Sequence, residues 1–137
     1  MITLDRPVLE QFEKEGLVVI RELLQPLDDL QPVVDEYAEL LDQLAKRWYR
    51  EGKITSDYHH LAFNQRLINV ARDTEGDYWP SMNISLPQVD IREDSPMHHG
   101  PAIFKLLTNA KLLDAVEMFI GPEIYLNPVH HVRIKPP

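Results

Sequence analysis

The sequence predicts an α+β fold, on three observations. Residues 28–50 repeat apolar side chains at helical spacing. Two other stretches, 17–20 and 123–135, are β-branched or alternate apolar with polar residues, as strands do. The prolines concentrate after Pro80, which divides a helical front from a loop-rich back.

Taken in order, residues 7–15 read as a short helix. Pro7 suits a first turn, Val8 and Phe12 share a face, and Gly16 stands where a C-terminal cap is expected. Leu17, Val18, Val19 and Ile20 follow as a short strand. In residues 28–50 the apolar stripe is Leu30, Val34, Tyr37, Leu41, Leu44 and Trp48. Asp28 and Asp29 favour the N-terminus of that helix, and Lys46, Arg47 and Arg50 favour its C-terminus. Pro32 is tolerated only within the first turn, so the regular helix is expected to begin near Leu30 and to stop at Gly52. The stripe reads as a core-facing side; it is short for a coiled-coil seam.

Residues 61–71 predict a second helix with Phe63, Leu67 and Val70 on one side. Residues 74–97 have no period, contain Gly76, Pro80, Pro87 and Pro96, and are expected to wind across the surface. Tyr78 and Trp79 there could cover a pocket or anchor the segment to the core. Residues 101–107 predict a helical turn. Residues 109–120 predict a helix capped by Asn109, with Leu112, Leu113, Val116 and Phe119 inward and Gly121-Pro122 as its stop. In 123–135, Ile124, Leu126, Val132 and Ile134 share one strand face, and Tyr125, Asn127, Val129, His131, Arg133 and Lys135 the other. Pro128 implies an edge or a bulge. This strand reads as the first of a sheet whose remaining strands would follow.

Composition narrows the function. The 137 residues make one domain or part of one, with ordinary apolar (44%) and charged (26%) content. A formal net charge of −8 argues against nucleic acid or an anionic membrane as the main partner. There is no cysteine, so no disulfide, thiolate metal site or cysteine nucleophile is available. No apolar run approaches the roughly 20 residues needed to span a bilayer, and no signal-peptide pattern opens the chain. A cytoplasmic location is the resulting expectation.

The six histidines form adjacent pairs, His59-His60, His98-His99 and His130-His131. Adjacent histidines point apart on a strand or helix, so they are weak metal signals, and surface or packing roles are the simpler reading. No Gly-rich phosphate loop or Gly-x-Ser-x-Gly elbow is present. Asp28-Asp29 and Glu93-Asp94 read as capping or solvated carboxylates. The best candidate is the polar strand face. His131, Arg133 and Lys135 line up there against an acidic background, and three cation-capable groups in a row suit a small carboxylate or phosphate. The competing reading is a solvated edge strand, where such charges oppose aggregation.

Three segments resemble the phytanoyl-CoA dioxygenase family of iron(II)/2-oxoglutarate oxygenases. Phe12-Glu13-Lys14-Glu15-Gly16-Leu17-Val18-Val19-Ile20 is similar to the family's opening helix, glycine and strand. Residues 112–124, from Leu112-Leu113-Asp114 to Gly121-Pro122-Glu123-Ile124, resemble the helix, glycine and strand before its barrel. Residues 127–137, ending Arg133-Ile134-Lys135-Pro136-Pro137, resemble the strand that enters the barrel. The resemblance implies N-terminal helices framing the first strands of a double-stranded β-helix (jelly roll), with the barrel incomplete in this chain and its catalytic part missing after Pro137. It implies hydroxylation of a small organic substrate with iron(II), oxygen and 2-oxoglutarate, and it makes Lys135 the best candidate 2-oxoglutarate ligand, with Arg133 and His131 beside it. The family's His-x-Asp is not found at any histidine here, and its distal His and Arg have no counterpart. The chain alone is therefore expected to hold no metal, no catalytic residue and no bound cofactor. The partner at its strand edge would be the remaining barrel strands or another chain. The alternative from a different class is a small helical protein that binds a partner through that exposed edge.

Overall fold

A computed structural model of the protein describes residues 6–86, 89–127 and 131–132. The described residues form six α-helices and one π-helical turn. In chain order these are α1 (Arg6–Glu15), the π-turn (Pro26–Leu30), α2 (Gln31–Arg50), α3 (Phe63–Asp73), α4 (Trp79–Met82), α5 (Pro101–Leu107) and α6 (Ala110–Ile120). They divide into two compact units, one within Met1–Val33 and Pro101–Asn127, the other within Val34–Gly100 and Pro128–Pro137.

The first unit holds α1, the π-turn, α5 and α6. Gly16 closes α1 with its N–H on the Phe12 carbonyl at 2.8 Å and a φ of +71°, a conformation that a side chain with a Cβ resists. α6 begins on Asn109, whose Oδ1 accepts from the Lys111 N–H at 2.9 Å. It ends on Gly121, again in the left-handed region. The rings of Phe12 on α1 and Phe119 on α6 lie 4.7 Å apart. Asp29 does more here than favour a helix dipole. Its carboxylate accepts from the Gln25 N–H (2.7 Å), Asn109 Nδ2 (2.8 Å) and Lys111 Nζ (2.5 Å), tying the π-turn to the first turn of α6. The Lys111 bond, followed by the Gln25 N–H, holds the Asp29 carboxyl below its ordinary range.

The second unit is built on the body of α2 with α3 and α4. Tyr37, Leu41, Leu44, Ala45 and Trp48 of α2 are buried, as are Leu67, Val70 and Ala71 of α3, and Tyr78 and Met82. Leu41 and Val70 have no exposed surface, and burying side chains of this kind is worth roughly 1.5–3 kcal/mol each. Arg66 of α3 reaches α2, its Nη1 2.8 Å from Asp42 Oδ1.

The α+β expectation is overturned: no β-strand occurs among the described residues. Residues 17–20 alternate between exposed and half-buried side chains, but no ladder partner among the described residues runs beside them. A strand is defined by that partner, and β-branched composition alone does not supply one. Residues 123–127 are likewise non-helical and unladdered, with Tyr125 88% exposed. The rest of the expected strand, apart from His131 and Val132, lies outside the described residues. The described residues therefore carry no part of a jelly roll.

Three smaller differences have local causes. The helix expected from Leu30 begins at Gln31, because Pro26–Leu30 takes the wider π-turn; Pro32 still falls in the first turn of α2. Leu30 and Val34 are exposed (38% and 41%), since the buried run of the second unit starts at Tyr37. Residues 74–97 do not simply wind over the surface, for Tyr78, Met82 and Asn83 are buried. Among the described residues no helix is long and apolar enough to cross a membrane.

Candidate functional site

A largely part-buried polar arrangement lies in the second unit, where α2, the end of α4 and residue 98 meet residues 131–132. Its foundation is apolar. Met82 is fully buried and places the next residue, Asn83, inside the unit at 7% exposure. α4 stops there because Asn83 turns to an extended conformation (φ −83°, ψ 146°), which frees its carbonyl and side chain for other partners.

Each polar group in this arrangement has a partner. The Tyr37 hydroxyl donates to the Met82 carbonyl at 3.0 Å. Burial, with a smaller contribution from the Glu36 charge, pushes the Tyr37 phenol well above its ordinary value, so it stays protonated and keeps donating. The Asn83 carbonyl accepts from the His98 N–H at 2.8 Å. The His98 ring stands edge-on to Tyr37, 5.4 Å between centroids, and its Nε2 lies 2.9 Å from Glu36 Oε1. The Asn83 side chain has three contacts. Its Oδ1 accepts from the N–H groups of Ile84 (3.0 Å) and Val132 (3.3 Å), and its Nδ2 lies 3.2 Å from His131 Nδ1. Residues 131–132 are thus held to this unit by one buried amide.

Of the three candidate ligand-binding residues, His131 is placed by these contacts and is exposed. Arg133 and Lys135 lie outside the described residues. The two histidine pairs among the described residues behave differently. His98 joins the polar arrangement while His99 is exposed, and His59 meets Asp57 at 2.9 Å with its ring against His60. Sequence reasoning did not single out Asn83, Glu36 or Tyr37 for this role. Asn83 sits in no motif, and its importance comes from the burial of Met82, which periodicity does not reveal over a four-residue helix.

The sequence offers no His-x-Asp, and among the described residues no three His, Asp or Glu side chains are grouped to hold a metal ion. The arrangement holds a histidine at an exposed position, its Nδ1 against the buried Asn83 amide. Compared with protein-family models, curated proteins and solved structures, the chain matches none.

Proposed function

We propose that this chain is the N-terminal helical part of an iron(II)/2-oxoglutarate-dependent dioxygenase that hydroxylates a small organic substrate. One observation carries the reading. Two of the segments that resemble the phytanoyl-CoA dioxygenase family come together in one compact unit, each as a helix, a positive-φ glycine and a non-helical stretch. The rings of Phe12 and Phe119 join their helices at 4.7 Å. The chain's own contribution to chemistry is binding: His131, Arg133 and Lys135 receive the carboxylates of 2-oxoglutarate, with Lys135 the principal ligand. The iron ligands come from outside this chain, so residues 1–137 alone are inactive. The reading places the protein in the cytoplasm, supported by a cysteine-free composition that offers no disulfide framework.

The test is to extend the reading frame past the codon for Pro137 and assay the encoded protein with iron(II) and 2-oxoglutarate. Succinate release that Lys135→Ala lowers by at least about ten-fold supports the reading, since a charge-assisted bond to a carboxylate is at stake. A frame that encodes no His-x-Asp, or a product that releases no succinate, overturns it. The exposed Leu17, Val19, Tyr125 and Leu126 favour a second reading, a helical partner-binding protein, which gains if that assay fails.

A further inference from the structure

The Asn83 amide has a fixed orientation. A primary amide can be turned about its last bond, exchanging oxygen for nitrogen, and the choice is decided by its neighbours. Here two backbone N–H groups, from Ile84 and Val132, point at one end of it. Both are obligate donors, so that end must be the oxygen. Turning the amide would set an NH2 against two N–H groups inside a buried site, leaving donors unpaired. The other end is therefore the NH2, and it faces His131 Nδ1 at 3.2 Å.

A consequence for His131 follows directly. An NH2 group only donates, so Nδ1 must accept and cannot carry a proton. The neutral ring then carries its proton on Nε2, on the far side from Asn83, and His131 is an exposed residue. Asn83 is itself braced by its carbonyl on the His98 N–H. The backbone of the same segment is gripped through the Val132 N–H, so ring and main chain are positioned by one residue.

We propose that Asn83 is a positioning residue that locks His131 in the Nε2–H tautomer and presents that N–H as a donor to a carboxylate ligand. The carboxylate part rests on the oxygenase reading above; the tautomer lock does not.

The experiment is nitrogen-15 NMR of the ring nitrogens of His131 in the 137-residue chain, assigned with His131→Ala. Two variants bracket the lock. Asn83→Asp keeps an oxygen for the two backbone donors but replaces the NH2 with an acceptor, so His131 should move its proton to Nδ1 or become doubly protonated. Asn83→Ala removes the lock and should leave a mixture of tautomers. If Asn83→Ala fails to fold, the isosteric Asn83→Asp still decides. The expected result is a single Nε2–H tautomer in the parent chain that Asn83→Asp reverses. A mixed or Nδ1–H parent ring, or a ring unchanged in Asn83→Asp, overturns the lock.

Adding millimolar 2-oxoglutarate to the extended protein and to its Asn83→Asp variant, labelled in the same way, tests the donor role. A response at His131 Nε2 that weakens about five-fold in Asn83→Asp supports it, and no response at Nε2 overturns it. The two arms fail separately. A locked tautomer with no succinate release from the extended protein condemns the oxygenase reading and keeps the lock, while the reverse condemns the lock alone.

Discussion

Asp73 shows how much one carboxylate can organise in this protein. Its Oδ2 accepts from the Thr55 N–H at 2.9 Å, the Thr55 hydroxyl at 2.8 Å and the Tyr58 hydroxyl at 2.8 Å. The two hydroxyls are 2.9 Å apart, and each has a single proton, which the shared carboxylate attracts. Tyr58 needs the anchor, because its φ of +52° is unfavourable for a side chain of its size. Asp73→Ala should therefore cost about 1–3 kcal/mol, read as a lower urea midpoint. The acid response follows from the same contacts. The Thr55 N–H, and after it the two hydroxyls, hold the Asp73 carboxyl below its ordinary 3.8 against an opposing effect of burial. A depressed native value gives stability that is present above the unfolded value and lost as pH falls through the native one. The parent chain should lose stability from about pH 4 downward, and Asp73→Ala should remove part of that slope. Asp29, Asp42, Glu51 and Asp57 are lowered too and keep their share, so the comparison of parent and variant is what isolates Asp73.

At the scale of elements, α3 is tied to α2 and to the preceding loop through Arg66. Its Nε donates to the Asp57 carbonyl and its Nη1 to Asp42, both at 2.8 Å. Nη2 is buried with no partner among the described residues. A buried guanidinium with one idle nitrogen is a poor investment of desolvation, and an apolar side chain of similar length can match it. Arg66→Ala should cost about 2–4 kcal/mol, since it removes two bonds and leaves a void. Arg66→Met should cost less than half of that, and thermal unfolding of the two variants side by side decides the point. An equal loss would mean that the bonds, and not the packing, hold α3 in place. The helices themselves were largely legible. α1 and α6 follow from Pro7, Gly16, Asn109 and Gly121, residues whose backbone preferences are local. The buried part of the α2 stripe, Tyr37 to Trp48, follows from spacing alone. Tertiary partners were not legible. Nothing local announces that Asp29 reaches Lys111, or that His98 meets Glu36, 62 positions away in the chain.

For the whole molecule, strand composition does not suffice for a strand. Residues 17–20 and 123–135 have that composition, yet no strand forms among the described residues. A strand, however, depends on a second segment that satisfies its N–H and C=O groups, and that segment cannot be inferred from the first. The same limit applies to the candidate site. His131 could be named from its parity with Arg133 and Lys135, but the residue that orients it, Asn83, lies 48 positions away and shares no pattern with it. Amide hydrogen exchange separates the two architectures. In the helical one, the N–H groups of residues 18–20 have no hydrogen-bond partner among the described residues and should exchange within the first minutes, near the rate of an unfolded chain. Those of Leu41, Leu44 and Ala45, hydrogen-bonded within α2 and buried, should be slower by orders of magnitude, approaching the limit set by global unfolding. Protection at alternate residues in 17–20 would instead reveal a ladder, since a strand bonds its neighbour on one side through every second residue. That result would restore a sheet to this protein and return the two exposed apolar runs to its interior.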